Sequence, residues 1–411
     1  MTKNTKKGKI VSCLDMGSSK LICIIASVSN EEIEILGYGH KESRGINASA
    51  ISDMRIAQKS IINVIAEAER MAGFNIEKLM IGISGSQVIS SRKEFGCKIS
   101  SEAVKDVDIY NLTSKVRSDF KKNNREIIHM IPMYYRIDDS SAVMNPRFMS
   151  GTNLFAKFHV ISTSQTTIRN IESCIKRCQV SVNNYMVEPY ASALACLSQN
   201  EMDLGTLLID IGGSSTSFCV IIEDKVVFVG SSPIGGDLIT KDIATILGVN
   251  ISLAEKIKNL NGSLFISPIE EREIIKYRLQ DSVNDSMIRI TRIELRDIIQ
   301  SRLEELFESV KLTLDKSKIP YNLVPNIVIT GGVASILGID KLASEIFSKN
   351  TKIGYPTKFN NAPSEIINPT NSCALGMLVY LRKQYLKEKN KESGDSKGNW
   401  FKRFLDRVVA V

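Results

Sequence analysis

Long apolar runs are missing from this chain of 411 residues. No stretch comes near the roughly 20 consecutive apolar residues that a bilayer-spanning helix needs. No secretory core follows the N-terminal lysines Lys3, Lys6, Lys7 and Lys9, because Asp15, Gly17, Ser18, Ser19 and Lys20 break the stretch from Val11 to Ala26. Histidine is scarce too, and His40, His129 and His159 show neither triad nor ligand spacing, so none is assigned a role. The eight cysteines lack zinc-type spacing. Cys174 and Cys178 lie in an amphipathic helical pattern with no nearby Cys or His partner, and the thiols are expected to be reduced and packed. A formal charge of +8 is modest for this length, and no basic stripe with interleaved aromatics is present, so nucleic acid is not expected as a partner. What is left is a chain too long for one ordinary core, in which roughly two to four folding units are expected.

Within it one short grammar occurs twice. Lys9 to Lys20 reads KIVSCLDMGSSK, an apolar strand ending in Asp15 and a tight Gly17-Ser18-Ser19 turn before a second strand at Leu21. Thr206 to Ser217 reads TLLIDIGGSSTS, with Asp210 and the turn Gly212-Gly213-Ser214-Ser215, about 195 residues later. Such turns expose backbone N–H groups and hydroxyls, which suit a phosphate, while an Asp at the strand end can hold magnesium through water. One copy alone would be ordinary hairpin chemistry, with the Asp merely capping its turn. Two copies imply two related domains facing across a cleft. A third segment, Asn326 to Gly338 (NIVITGGVASILG), runs a strand into Gly331, Gly332 and Val333 and then a helical pattern. Glycine there lets backbone approach a flat ring or a phosphate, or simply makes a strand-to-helix turn.

The last thirteen residues, Asn399 to Val411, have a different character. Trp400, Phe401, Phe404, Leu405, Val408 and Val409 fall on one stripe of a helix, and Lys402, Arg403, Asp406 and Arg407 fill the other side. Lys387 to Gly398 has no apolar residue and reads as a solvated tether. A tethered helix with an aromatic stripe and basic flank is expected to lie on anionic lipid as a membrane anchor; docking back on its own domain is the alternative.

In this order and at these distances, the three glycine-bearing segments resemble the two phosphate motifs and the adenosine motif of the actin-like ATPase superfamily. The resemblance covers nearly the whole chain. Within the superfamily the chain is most similar to the bacterial cell-division FtsA family, on Ile81 to Ser90 (IGISGSQVIS), Ile128 to Asp138 (IHMIPMYYRID), Phe158 to Ser164 (FHVISTS) and the tethered amphipathic end. It implies an α/β fold of the actin-like, ribonuclease H-like kind with a C-terminal amphipathic helix. The expected parts are a basic extension at 1–9, subdomain 1A at 10–83 and 161–203, 1C at 84–160, 2A at 204–238 and 311–385, 2B at 239–310, a linker at 386–398 and the helix at 399–411. It further implies ATP and magnesium as ligands, with at most weak turnover, and self-association into filaments on the cytoplasmic side of the inner membrane at the division septum. The C-terminal tail of FtsZ is the expected partner of 2B, and other division proteins are expected on 1C. A pilus-assembly homologue resembling PilM and a small-molecule kinase of the same superfamily are the alternatives.

Carried onto this sequence, Gly17, Ser18, Ser19 and Lys20 hold one side of the phosphates and Gly212, Gly213, Ser214 and Ser215 the other, with Asp15 and Asp210 organising magnesium through water. Lys20 either reaches the β-phosphate or faces solvent. Glu255 and Lys258, three apart in LAEKIK, either touch ribose and adenine or form an ordinary intrahelical ion pair. Gly235, Gly236 and Asp237 are expected to line the same cleft as Gly331, Gly332 and Val333. Glu188, in MVEPYASAL, either orients the attacking water or serves only as a first-turn acid beside Pro189.

Overall fold

The computed structural model describes residues 8–278, 287–359 and 362–392. The terminal amphipathic segment, 399–411, and the end of the expected tether lie outside the described residues. β-Branched, apolar segments that reverse at Asp-x-Gly build the first half. Its strands β1 (Lys9–Met16), β2 (Lys20–Val28) and β3 (Ile33–Glu42) form an antiparallel meander. A small hairpin, β4 (Ile46–Asn47) and β5 (Ala50–Ile51), leads into α1 (Met54–Ala72) and then β6 (Lys78–Ile83), parallel to β1. The chain next leaves this sheet for β7 (Ile89–Lys98), α2 (Asp106–Lys122), β8 (Arg125–Ile137) and β9 (Asn153–Ser164), a separate three-stranded sheet with β9 in the middle. It returns through α3 (Gln165–Arg177) to β10 (Ser181–Val187), parallel to β6, and enters α4 (Glu188–Cys196).

The second half opens with α5 (Gln199–Leu204) and a second meander, β11 (Thr206–Ile211), β12 (Thr216–Ile222) and β13 (Lys225–Ser232). Then follow α6 (Gly236–Leu247), α7 (Ile251–Asn261), the hairpin β14 (Ile274–Arg278) and β15 (Met287–Thr291), and α8 (Arg292–Ser317). Strand β16 (Asn326–Thr330), helix α9 (Ile339–Phe347), strand β17 (Asn350–Ile353) and helix α10 (Ser372–Glu392) complete it. The strand orders β3-β2-β1-β6-β10 and β13-β12-β11-β16-β17 are one topology used twice, an antiparallel meander extended by two parallel strands.

Burial follows the apolar faces. Helices α1 and α3 cover one side of the first sheet, and α6, α8 and α9 cover one side of the second. The two remaining sheet faces share a central core with α4 and α10, in which Ile22 and Ile24 of β2, Leu208 and Cys219 of β11 and β12, Leu194 of α4 and Leu378 of α10 are fully or almost fully buried. These two helices cross at Gly376, where a Cβ would lie 1.7 Å from the Ala191 carbonyl oxygen.

Several elements differ from expectation. The region 84–160 contains the 17-residue helix α2, packed through Ile109, Leu112, Val116 and Phe120, as well as strands. Helix α8 extends seven residues beyond Val310, to Ser317, because Leu314 continues the buried stripe. Gly331 and Gly332 lead into a 3₁₀ turn, Gly332–Ser335, before α9 starts at Ile339. Helix α10 runs to Glu392, into the segment expected to be tether, where Lys and Glu are good helix formers and Glu388 pairs with Lys9 at 2.9 Å. All eight cysteines are free.

Replacing Gly376 by Ala has to push α4 and α10 apart in a packed core. A loss of roughly 1–3 kcal/mol is expected, read as a lowered melting temperature by calorimetry; an unchanged transition would show that the crossing yields freely.

Candidate functional site

Because the two sheets share one topology, β1 and β11 end at equivalent places, and their turns meet. The Ser18 and Ser214 hydroxyls hydrogen-bond across the gap between the halves. Ser19 Oγ lies 2.0 Å from where a Gly213 Cβ would stand, so the first turn presses its hydroxyl on the second position of the other. Behind it, Gly236 and Asp237 donate their N–H groups to the Gly212 and Gly213 carbonyls at 3.0 and 2.8 Å, which sets the N-terminus of α6 against the turn. Gly235 is pressed on the Gly213 carbonyl and the Ser215 N–H. Gly17 closes the first turn over the Lys20 carbonyl, and Gly212 closes the second by donating to the Ser215 carbonyl at 3.0 Å.

Beneath the turns lie three carboxylates and one ammonium. Asp15 is buried, while Asp210 and Glu188 are crowded by protein and keep a partly exposed edge. Burial pushes the Asp15 carboxyl up to about 6, opposed by the Lys20 charge and reinforced by Asp210. Asp210 is raised by burial, against the Ser192 hydroxyl, which donates to it at 2.5 Å, and against Lys20. Glu188 is pushed up to about 8 by burial and by the charge of Asp15. Lys20 is pulled down to about 8 by burial, with Asp15 and Asp210 holding it up. Its ammonium neither faces open solvent nor stands free, since it donates to the Thr370 carbonyl and to Asn371 Oδ1 at 2.6 Å. One cation against three acids leaves the cluster short of positive charge, and its oxygen-only donors suit a hard divalent ion. Among the described residues no group of three His, Cys, Asp or Glu side chains converges as a metal-ligand set.

Glu188 occupies the first turn of α4, after β10 and before Pro189. Its orientation is set from afar. Ser49 Oγ donates to Glu188 Oε1 at 2.5 Å and contacts Ser84 Oγ at 2.9 Å. The Ala48 N–H donates to Ser18 Oγ at 2.9 Å, so one hairpin tip, β4 to β5, touches both the first turn and Glu188. Ala48 and Ser49 take φ of +45° and +60°, a left-handed conformation that costs about 1–2 kcal/mol per L-residue. On the other side of Glu188, His129 Nε2 accepts the Val187 N–H at 3.1 Å and stays neutral, burial holding its pKa down to about 3.

Across the cleft, Lys258 is buried and donates to the Gly236 carbonyl at 3.0 Å, Thr240 Oγ1 at 2.7 Å and Glu255 Oε2 at 2.6 Å. Glu255 and Lys258 are thus an intrahelical pair that also fastens α7 to the start of α6. Val333 packs on Gly236. Gly331, at φ +92°, brings the end of β16 against Asp210, with a Cβ position 2.5 Å from Asp210 Oδ1; Gly332 has much more room. The structure therefore joins the sequence-derived residues of both turns, the α6–α7 region and the β16 end into one continuous wall. Sequence reasoning missed Ser49, Thr370 and Asn371, which reach the site from segments with no motif of their own, Cys373, which hydrogen-bonds Asp15, and Ser84 and Ser192, which lie within IGISGSQVIS and MVEPYASAL without a mark of their role.

A carboxyl raised in the folded state binds extra protons there, so stability falls as pH rises from its unfolded pKa, 4.5 for Glu188, towards about 8. The nucleotide-free protein is expected to lose denaturant resistance over that range. Glu188→Gln should flatten the slope and be more stable than wild type at pH 8 by roughly 1–3 kcal/mol; an unaltered pH profile in urea titrations would contradict the raised carboxyl.

Comparison with known proteins agrees with this geometry. Residues 207–376 match the family model of "Cell division protein FtsA", and residues 85–162 match that of the "SHS2 domain inserted in FTSA". Cell division protein FtsA of Borreliella burgdorferi is 31% identical over 407 residues, covering 94% of this chain and 97% of its own. That of Pseudomonas aeruginosa is 31% identical over 384 residues, covering 93% and 91%. Among solved structures, the PilM-PilN type IV pilus biogenesis complex superposes with a TM-score of 0.66 at 16% identity, over 92% of this chain and 99% of the other. MreB5 of Spiroplasma citri bound to ADP superposes with a TM-score of 0.57 at 16% identity, over 94% and 99%. At such identities the structures establish the actin-like fold alone, and the sequence relatives establish the rest: the chain belongs to the FtsA family of cell-division proteins.

Proposed function

We propose that this protein binds magnesium-ATP between its two phosphate turns and, in that state, polymerises on the cytoplasmic face of the membrane at the septum, tethering FtsZ filaments there. The observation that carries the nucleotide part is the meeting of two equivalent turns over buried Asp15 and Asp210. When phosphates enter, the Ser18–Ser214 bond gives way and the hydroxyls and N–H groups of both turns redirect to phosphate oxygens. Lys20 turns from Thr370 and Asn371 towards the phosphates. Asp15 and Asp210 would hold the waters of a bound magnesium ion as carboxylates, and the ion would supply the missing positive charge. Glu255, Lys258 and Val333 are the residues proposed to face the nucleoside.

Glu188, beside Asp15 in the cluster under the turns, is the residue proposed to orient a water in line with the γ-phosphate. A carboxyl raised to about 8 is largely protonated at neutral pH and accepts a proton poorly. Weak turnover at most is expected from the family resemblance, with nucleotide acting mainly to fix the relation between the halves.

Family membership supports FtsZ as partner and 239–310 as its face, and supports 84–160 as the surface for neighbouring copies and other division proteins. The subdomain boundaries given above are part of this reading; the first sheet draws strands from both 10–83 and 161–203. No helix among the described residues is long and apolar enough to cross a membrane. Attachment then falls to Trp400, Phe401, Phe404, Leu405, Val408 and Val409, with Lys402, Arg403 and Arg407 towards anionic headgroups. One short interfacial helix binds weakly because ordering it is costly, whereas many tails on a filament raise avidity by about 10² to 10⁴.

Lys20→Ala and Asp210→Ala should each weaken magnesium-ATP binding at least tenfold in calorimetric titration; affinity within twofold of wild type would remove both from the site. In liposome co-sedimentation on anionic lipid, full-length protein should pellet cooperatively with magnesium-ATP, while Trp400→Glu, Phe404→Glu or a chain ending at Gly398 should stay soluble. Equal pelleting of all four would sink the anchor.

A further inference from the structure

A pocket of about 370 Å³ lies away from the nucleotide cleft, where the three-stranded sheet meets the second half. Its lining comes from Ser90 and Arg92 of β7, Phe228 of β13, and Thr313, Lys316 and Ser317 at the end of α8. Two of the six are cations and none is an acid. Some arginines of this protein have carboxylate partners, as in Arg302 with Asp242 at 2.7 Å and Arg147 with Asp106 at 2.7 Å. Arg92 and Lys316 make no ion pair or side-chain hydrogen bond among the described residues. Arg92 is half-buried, and burial alone pulls its guanidinium down. A partly desolvated cation without a counter-charge is costly to keep.

The hydroxyls are already committed. Thr313 donates to the Ser309 carbonyl at 2.9 Å and Ser317 to the Leu314 carbonyl at 2.6 Å. His159 is neutral, held down to about 4 by burial; its Nδ1–H donates to the Val226 carbonyl at 2.7 Å, which leaves Nε2 to accept the Ser90 hydroxyl at 2.7 Å. Ser90 Oγ in turn accepts the Val229 N–H at 3.3 Å. This chain of bonds ties β7 and β9 to β13 beside the pocket, and it leaves anion recognition to Arg92 and Lys316.

We propose that the pocket binds a small, doubly charged oxyanion, a phosphate ester or a dicarboxylate, whose charge Arg92 and Lys316 share, so that its occupation fastens the three-stranded sheet to α8. The volume suits a small molecule, and a guanidinium beside an ammonium suits a doubly charged oxygen group. The proposal stands independently of nucleotide binding.

The test is calorimetric titration of the full chain with inorganic phosphate and, separately, succinate, at low salt. In the Arg92→Gln/Lys316→Gln variant the affinity should fall at least tenfold. Lys316→Gln alone, at an exposed position where folding is not at risk, should lower it threefold or more. Because phosphate has a second possible seat between the turns, Lys20→Ala is measured in parallel and should retain the pocket's binding. Phosphate binding without succinate binding identifies a phosphoryl ligand, succinate alone a carboxylate one, and both the shared chemistry. No heat at millimolar anion, binding unchanged in the double variant, or binding lost only with Lys20→Ala would each overturn the proposal.

Discussion

Helices α4 and α10 cross with backbone against backbone, at a point where Gly376 leaves no space for even one methyl group beside Ala191. That contact brings the inner faces of two sheets onto a single pair of helices, and the shared core built around it is the joint between the halves. Everything at the site depends on it. Helix α4 begins at Glu188, and α10 begins beside Asn371 and Cys373, so the same crossing that spaces the sheets also places the acid and the groups around Lys20. Packed interiors shift between discrete arrangements rather than deforming smoothly. A change in the distance between the turns must therefore be felt along both helices.

Electrostatics at the joint pulls against packing. Three crowded carboxylates share one ammonium, and burial, with the like charges around them, raises Asp15 and Glu188. A divalent cation and polyphosphate would resolve that imbalance, because the ion supplies charge to the acids while the phosphates take up Lys20 and the turn N–H groups. On the proposed reading, a ligand bound at this place would strengthen the link between the halves instead of merely filling a hole. The Ala48–Ser49 tip adds a mechanical element, since left-handed backbone at two non-glycine residues is retained where it delivers an N–H to the first turn and a hydroxyl to Glu188.

The three-stranded sheet is attached in a different way. Its own core, around Phe158, Leu154 and Val116, is separate from the central one. Its contact with the second half combines apolar packing, with Ile131 and Ile161 in the central core alongside Val226 and Val229, and polar bonds through Ser90, His159 and the carbonyl of Val226. A neutral buried histidine is well suited to such a seam, because donating with one nitrogen and accepting with the other fixes both neighbours.

The sequence by itself determined the two strand-turn hairpins, the glycine-led end of β16, the helices with clear stripes and the family resemblance, because each is written in contiguous residues whose side-chain period or turn chemistry acts locally. Helix α2 is equally contiguous, with Ile109, Leu112, Val116 and Phe120 on its buried face, but the charged residues between Lys115 and Arg125 interrupt that stripe in the sequence. Only the tertiary structure decided that Lys20 is held by Thr370 and Asn371, that Ser49 and Ser84 reach Glu188, and that Arg92 and Lys316 share a pocket. Those partners lie tens to hundreds of residues apart, and side chains of common types carry no mark of whom they will meet until packing brings distant backbone together.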